Sequence, residues 1–393
     1  MRLFAILALS IAAVSMTFAQ PPSKQVIPGA NPAMPFAAAV KADGLIYVSG
    51  TLGNSTAGSD VKAQTKQVLD TISATLKTAG SSLANAASVT VYLKNQADFA
   101  GMNEVYRGYW TKDPPARTTV MVPLLNEGLV EIAVVAVPDG GERVVVNPSE
   151  WAGSPNPYSY GIKSGNTLFM SGLIARNGKD NTPMKGDMAA QTKAVLDNGA
   201  TVLKAAGFSY TDVVASRIYI TDQAAFADMN KVYQTYFPAD PPARATVKAL
   251  LTSADYIVEI TMVAVKGANR SALTTPNADG TPGTKNVNLS SAIRAGNRLY
   301  VSGILGNTAT NKGDIKAQTA EALVRIGRTL KAAGYDWNNI VDGVVYLPDL
   351  TKFNDMNAAY REAFGKDFPA RATVGAGLMG ADAAVEIMFT ATK

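Results

Sequence analysis

One six-residue pattern occurs three times along this chain at a constant spacing. The pattern is Pro-Ala-Arg-x-Thr-Val, and its arginines, Arg117, Arg244 and Arg371, are 127 residues apart. Other residues keep this period: Met102-Asn103, Met229-Asn230 and Met356-Asn357, and Gln64, Gln191 and Gln318. A repeat of this length suits a whole domain, whereas solenoid repeats have about 20–50 residues. The sequence therefore predicts three similar domains in tandem.

The domains are predicted to occupy residues 20–138, 144–267 and 286–393. The stretch 267–285 is rich in Gly, Pro, Asn and Thr, which indicates a linker, and a shorter linker is predicted at 138–143. Within the repeat, the spacing varies mainly between a Ser-Gly pair and the following Gln, as expected of a surface loop.

Residues 1–19 have the pattern of a secretory signal peptide. Arg2 precedes an apolar run over 3–14, and the small residues Thr17 and Ala19 stand just before Gln20. The run is shorter than the roughly 20 apolar residues that a membrane-spanning helix needs. We therefore expect an exported protein, periplasmic or secreted, with no membrane association after cleavage.

The 393 residues include no cysteine and no histidine. This composition excludes disulfides, thiolate nucleophiles, Cys- or His-ligated metals and Ser-His-Asp catalysis. The formal charge is only +5, and no Lys/Arg-rich run is present, so a nucleic-acid partner is not expected.

Hydrophobic periodicity in the first unit predicts the order β-β-α-β-α-β-β. Strands are expected at 36–41, 45–49, 89–93, 117–122 and 129–137, and helices at 60–79 and 98–110. Two helices on one face of a mixed sheet make an α+β domain. Because several strands are apolar on both faces, the uncovered sheet faces are expected to pack together. The chain would then close into a monomeric, pseudo-threefold ring with head-to-tail interfaces.

Two charged residues recur beside these strands. The arginine of the repeated pattern carries a planar fork of donors that suits a carboxylate, which suggests an acidic small-molecule ligand. A glutamate within Val-Glu-Ile follows on the next strand, at Glu131, Glu259 and Glu386. It either pairs with the arginine, lies at a solvated edge, or acts as a carboxylate whose pKa burial raises into a useful range.

Three further sets of residues recur. The Asn of each Met-Asn pair, Asn103, Asn230 and Asn357, is either a ligand contact or a packing residue. The Ser of each Ser-Gly pair, Ser49, Ser171 and Ser302, either marks a turn or aims a hydroxyl at a ligand, with Gly permitting close approach. Tyr92, Tyr219 and Tyr346 are interpreted as packing residues of a strand.

At these motifs the chain resembles the RidA/YjgF/UK114 family of enamine/imine deaminases, also known as endoribonuclease L-PSP. The matching features are Ser-Gly, Asp-x-x-x-Gln, Met-Asn-x-x-Tyr, Pro-Ala-Arg and Val-Glu-Ile, in order and in triplicate. The resemblance implies a chorismate-mutase-like fold and a trimer with ligand clefts between subunits. It also implies that the arginines bind the substrate carboxylate, that the glutamates position water, and that the Asn and Ser line the cleft, with no cofactor.

The three units depart from the family pattern in different ways. The family has a tyrosine early in its first strand, which unit two keeps as Tyr158, whereas Phe36 and Leu289 stand there in the other units. We therefore expect unequal sites, in which Tyr158 completes a pocket whose arginine belongs to another unit. The sites that use Tyr158 or Arg244 are expected to be the active ones. Some members carry a cysteine two residues after the arginine, where this chain has Thr119, Thr246 and Thr373.

Three functions are compatible with this sequence. The leading hypothesis is hydrolysis of 2-imino acids to 2-oxo acids and ammonia, resembling a 2-iminobutanoate/2-iminopropanoate deaminase. The second is a non-catalytic exported module that binds small carboxylates. The third is RNA cleavage, which export and the modest charge disfavour.

Overall fold

The threefold repeat of the sequence forms three β-sheets in the computed structural model, which describes residues 24–393. The predicted signal peptide at 1–19 lies outside the described residues. Within the part of the chain that is described, every helix is too short or too polar to cross a lipid bilayer.

The first unit contains six strands and two long helices. Its elements are β1 (Gln25–Ile27), β2 (Ala39–Ala42), β3 (Leu45–Leu52), α1 (Val61–Thr78), β4 (Ala86–Leu93), α2 (Phe99–Tyr109), β5 (Ala116–Met121) and β6 (Val130–Ala136). The order across the sheet is β1-β2-β3-β6-β4-β5, with β4 and β5 parallel and the other pairs antiparallel. The predicted α+β unit is confirmed.

The second and third units repeat this arrangement. The second consists of β7 (Val144–Val146), β8 (Gly161–Ser164), β9 (Thr167–Met170), β10 (Leu173–Ile174), α3 (Met188–Ala205), β11 (Val213–Ile220), α4 (Phe226–Tyr236), β12 (Ala243–Lys248) and β13 (Val258–Val265). The third consists of β14 (Ser271–Leu273), β15 (Ala292–Ala295), β16 (Arg298–Leu305), α5 (Ile315–Ala333), β17 (Ile340–Leu347), α6 (Phe353–Phe364), β18 (Ala370–Gly375), β19 (Gly377–Leu378) and β20 (Glu386–Thr392).

The first long helix of each unit begins at an aspartate cap. The Asp60 side chain accepts hydrogen bonds from two backbone N–H groups of α1, and Asp187 and Asp314 each accept one at the start of α3 and α5. Buried residues of α1, such as Val68, Leu69 and Ile72, follow helical spacing and pack on the sheet. Each unit therefore has its own core between its helices and its sheet.

Each sheet begins with a short edge strand that the sequence analysis does not predict. Strands β1, β7 and β14 have three residues each and pair with the first strand of the predicted hairpin. Strand β14 lies inside the predicted linker at 267–285, so the interpretation of that whole stretch as a linker is wrong. The domain boundaries themselves stay predictions.

The free sheet faces meet around a pseudo-threefold axis. Strand β4 contacts β8 and β9 of unit two, β11 contacts β15 and β16 of unit three, and β17 contacts β2 and β3 of unit one. The three contacts follow one direction around the ring, so the interfaces are head-to-tail, as predicted. A shared core built from all three units lies at the centre.

Candidate functional site

The three repeated arginines lie at the interfaces between units. Each is the second residue of β5, β12 or β18, and each is at most 4% exposed. The backbone N–H of Arg117 donates to Oγ of Ser171 in unit two at 2.8 Å, and the same bond joins Arg244 to Ser302 and Arg371 to Ser49. Each arginine is therefore held against the Ser-Gly segment of the next unit.

The glutamates complete the same interfaces. Oε1 of Glu259 accepts the backbone N–H of Thr119 at 3.3 Å, although these residues belong to different units. The backbone N–H groups of Thr246 and Thr373 interact in the same way with Glu386 and Glu131. One unit thus supplies Arg and Thr to each cleft, and the next unit supplies Ser-Gly and Glu.

Aromatic rings surround each guanidinium. The Arg117 Cζ lies 4.7 Å from the ring centroid of Tyr106, the Arg244 Cζ lies 4.9 Å from that of Tyr233, and the Arg371 Cζ lies 4.6 Å from that of Tyr360. These tyrosines are the last residues of the Met-Asn-x-x-Tyr motifs on the second long helix of each unit. Their rings stabilise the positive charge of the arginine in the Pro-Ala-Arg motif of the same unit. Ring faces attract a cation but accept no hydrogen bonds along the plane of the guanidinium.

Several guanidinium donors have no partner. Among residues 24–393, the buried Nη1 of each arginine, and Nε of Arg117 and Arg244, make no hydrogen bond. A buried donor left unpaired costs roughly 1–3 kcal/mol, and more when it is charged. A ligand carboxylate would satisfy two donors of such a fork at once. These unpaired donors are the clearest sign of a ligand site in the molecule.

The three glutamates are buried acids. Glu131, Glu259 and Glu386 are at most 5% exposed, and none forms a salt bridge shorter than 4.0 Å within the described chain. Burial raises the pKa of each carboxyl to about 8, against the opposing effects of a backbone N–H and of the nearby arginine. The carboxyl is therefore mostly protonated at pH 7, and each cleft carries a net positive charge that favours an anion.

The glycine of each Ser-Gly pair makes room for the carboxyl. In units one and three, Ser-Gly falls at a shift in strand register, where β3 and β16 bulge beside β6 and β20. A Cβ on Gly172 would lie 1.8 Å from Oε1 of Glu259, and a Cβ on Gly50 or Gly303 would meet its own glutamate at 2.0 or 1.9 Å. The close approach that Gly permits is thus to the glutamate of the same unit.

Replacing these glycines is expected to disrupt the clefts. In a Gly50/Gly172/Gly303→Ala variant, the new methyl groups would displace the carboxyls, and overpacking of this kind costs about 1–3 kcal/mol per site. Gly108→Ala in α2 is the control, because a Cβ there meets no atom within 4 Å and alanine favours a helix. Urea unfolding should show a large loss of stability for the triple variant and none for the control. Equal stability of the two variants would contradict the proposed packing.

The raised pKa of the glutamates predicts a pH-dependent stability. The folded protein holds three protons that the unfolded chain releases above its pKa near 4.5. The contribution of these groups to the free energy of unfolding therefore decreases as pH rises from about 4.5 to about 8 and is constant at higher pH. The free energy of unfolding is compared between the wild type and a Glu131/Glu259/Glu386→Gln variant. All other titrating groups are present in both proteins, so their contributions cancel in the difference. Urea unfolding at about pH 5, 7 and 9 should show the wild type losing stability relative to the variant, and parallel profiles would exclude the effect.

The three predicted asparagines differ in their hydrogen bonds. Nη2 of Arg371 donates to Oδ1 of Asn357 at 2.8 Å, so this amide orients the guanidinium. Oδ1 of Asn103 and of Asn230 is buried without a partner in the described structure. Whether these amides contact a ligand stays a prediction.

The predicted serines make structural hydrogen bonds. Oγ of Ser49, Ser171 and Ser302 donates to a backbone carbonyl at 2.5–2.6 Å, besides accepting the arginine N–H of the neighbouring unit. These hydroxyls therefore tie two units together, and their role toward a substrate stays a prediction. The repeated strand tyrosines Tyr92, Tyr219 and Tyr346 are buried in the shared core, as interpreted from the sequence.

The three clefts are not equivalent. The ring centroid of Tyr158, in unit two, lies 5.7 Å from the Cζ of Arg117. Tyr158 also lines a small cavity together with Arg117, Glu259 and Asn156. Phe36 of unit one lies 5.3 Å from the Cζ of Arg371. The aromatic neighbours of Arg244, Phe226 and Tyr233, both come from its own unit. Tyr158 thus joins a cleft whose arginine belongs to another unit.

Two contributions to the clefts are not identified by sequence reasoning. One is the backbone N–H of Thr119, Thr246 and Thr373, and the other is the packing of Gly50, Gly172 and Gly303 on the glutamates. The threonines keep the 127-residue period and the glycines recur at unequal spacings. The partner of each threonine depends on which units meet, and the partner of each glycine depends on how the strands pair within its own unit.

The sequence and the fold were compared with those of known proteins. The family model described as Endoribonuclease L-PSP matches this chain three times, over residues 28–138, 152–266 and 284–393. A RutC family protein from Sulfurisphaera tokodaii is 44% identical over 111 residues, which cover 28% of this chain and 89% of that protein.

Two solved structures show similarity on different scales. The YjgF gene product of E. coli is 30% identical and covers 31% of this chain and 98% of its own, with a TM-score of 0.30. A chorismatase matches 78% of this chain and 93% of its own, with a TM-score of 0.55. At 15% identity, the second likeness shows the fold alone.

Proposed function

We propose that the clefts of this chain hydrolyse 2-imino acids to 2-oxo acids and ammonia. The chain belongs to the endoribonuclease L-PSP family and consists of three tandem RidA-like domains. Family membership supports a hydrolase of the deaminase or endoribonuclease type. The finer assignment is carried by one observation, the buried guanidinium with unpaired donors beside a buried, mostly protonated glutamate.

The arginine holds the substrate in this proposal. The carboxylate of the imino acid pairs with the free donors of Arg117, Arg244 or Arg371, which otherwise stay unsatisfied. The neighbouring tyrosine ring closes one side of the guanidinium and directs the donors toward the cleft. The imine carbon, bonded directly to that carboxylate, is then fixed relative to the glutamate of the next unit.

The glutamate carries the proton transfers. In its ionised form it orients a water molecule and takes a proton as the oxygen bonds to the imine carbon. In its protonated form it returns that proton to the nitrogen, which gives a carbinolamine. The same carboxylate then takes the hydroxyl proton of the carbinolamine and passes it to the nitrogen, so the C=O bond forms, the C–N bond breaks, and ammonia and a 2-oxo acid are released. A pKa of about 8 lets the same carboxyl serve as base and acid near neutral pH.

A substrate comparison tests this proposal. An imine of a small 2-oxo acid is generated in situ, and its disappearance is followed with and without the full chain. A parallel reaction uses the imine of the corresponding methyl ester, which has no carboxylate. Faster loss of the acid imine alone is the expected result. No acceleration together with saturable binding of the 2-oxo acid would instead support a binding module, and acceleration of both imines would remove the arginine from the mechanism.

We also propose that the chain acts outside the cytoplasm as a monomer. The signal-peptide pattern of residues 1–19 and the closed ring of three units support the two parts of this proposal. Mass spectrometry of the exported protein should find an N-terminus at Gln20, and sedimentation should give the mass of one chain. An intact Met1 or a multiple of the chain mass would refute the respective part.

A further inference from the structure

A second cavity lies on the pseudo-threefold axis, away from the three clefts. Its volume is about 90 Å³, and residues from all three units line it. The lining contains none of the cleft arginines or glutamates of the described chain. A cavity of this size holds a few water molecules or one small ligand.

The central strands β4, β11 and β17 place equivalent residues around this cavity in layers. One layer contains Ser88, Ala215 and Asp342, which are 127 residues apart, and the adjacent layer contains Thr90, Arg217 and Val344. In a homotrimer of identical one-domain subunits, each of these positions would carry the same residue in all three subunits. A single chain can instead place one positive and one negative charge on the axis.

The two axial charges do not pair with each other. Salt bridges shorter than 4.0 Å in the described structure include neither Arg217 nor Asp342, and no side-chain hydrogen bond of Arg217 is present there. Both side chains keep part of their surface open, although they lie between sheets at the centre of the ring. Arg217 and Asp342 therefore face the cavity as separate charges with unused hydrogen-bonding capacity.

The remaining walls are apolar or neutral. They include the rings of Tyr92, Tyr47 and Phe169 and the aliphatic side chains of Val48 and Val263. Burial raises the pKa of Asp342 to about 6, with Arg217 acting in the opposite direction, so Asp342 is ionised at neutral pH. A simple anion would be attracted by Arg217 but repelled by Asp342, and a simple cation would meet the reverse.

We propose that the axial cavity binds a small zwitterion, whose carboxylate contacts Arg217 and whose ammonium contacts Asp342. The volume restricts this ligand to the smallest amino acids, of the size of glycine, alanine or serine. The site is separate from the deamination clefts and does not depend on their chemistry.

Calorimetric titration with alanine at about pH 7.5 tests this site in the full chain with all three cleft arginines changed to methionine, the cleft variant, because the wild-type clefts are expected to bind carboxylates themselves. Acetate and ethylamine, which each carry one of the two charges, are the ligand controls. Arg217→Thr and Asp342→Ser are the variants, because unit one already has Thr90 and Ser88 at the equivalent positions, so the ring should accept both. Thermal melts confirm that each variant folds.

Saturable binding of alanine that weakens at least about tenfold in each variant, and at least about tenfold for each one-charge control, is the expected result. The wild-type chain, whose clefts can also bind carboxylates, should bind alanine at the axial site with the same affinity as the cleft variant. Absence of binding, equal binding of acetate, unchanged affinity in the axial variants, or loss of binding in the cleft variant would each overturn the proposal. The cleft variant also separates this site from the proposed deaminase function.

Discussion

Arg117/Arg244/Arg371→Met is expected to lower kcat/KM for a 2-imino acid by roughly 30- to 5,000-fold. This range corresponds to the about 2–5 kcal/mol lost when one partner of a buried, hydrogen-bonded charge pair is removed. The loss should appear mainly as a higher KM, because the arginine holds the carboxylate before and during the reaction. Steady-state kinetics of imine loss measure both parameters.

The triple arginine variant should remain folded. Each guanidinium leaves buried donors unpaired, so an apolar side chain of similar length removes a desolvation cost as well as a charge. Arg294→Met is the control, because Arg294 is an exposed arginine on β15, away from the clefts. A folded triple variant with unchanged kcat/KM would exclude these arginines from substrate binding.

Glu131/Glu259/Glu386→Gln is expected to lower kcat by about 10²–10⁴-fold with little change in KM. Removal of a general acid–base group has an effect of this size, whereas the arginine that binds the carboxylate is intact. Glutamine keeps the shape of the side chain beside Gly172 and keeps an oxygen that accepts the Thr119 N–H. The fold should therefore persist, and the effect should be chemical.

The exposed Glu127 offers a matched control for the glutamate variant. It lies four residues before Glu131 in the turn that leads into β6, so Glu127→Gln makes the same chemical change outside the cleft. Its kcat should equal that of the wild type. If the triple variant keeps the wild-type kcat, water is activated by some other group, and the role proposed for the glutamates is wrong.

The activities of the three clefts can be compared one cleft at a time. Restoring one arginine at a time in the triple methionine variant leaves a single complete cleft. Because Tyr158 lies beside Arg117 and no equivalent ring from a second unit lies beside Arg244 in the described structure, unequal activities are expected. Such variants would show which cleft depends on its aromatic neighbour.

The number of units, their α+β class and their closure into a ring can all be predicted from the amino-acid sequence. The repeat at Arg117, Arg244 and Arg371 is a direct statement about domain count, and periodicity within 60–79 reflects the burial of one helix face. Apolar residues on both faces of a strand require a cover on both sides, which the neighbouring units provide. These are local or repeated signals, so one chain is enough to read them.

Which residues contact each other depends on how strands pair and units pack in three dimensions. The three-residue edge strands have too few residues for a periodic pattern, so β14 was hidden in a stretch with linker composition. Gly172 makes room for the buried carboxyl of Glu259, whose burial raises its pKa, and the Thr119 N–H that opposes this rise comes from another unit. Arg217 and Asp342 are far apart in sequence and come together only because equivalent strands surround one axis. Such contacts arise from packing between units, and no periodicity within a single segment records them.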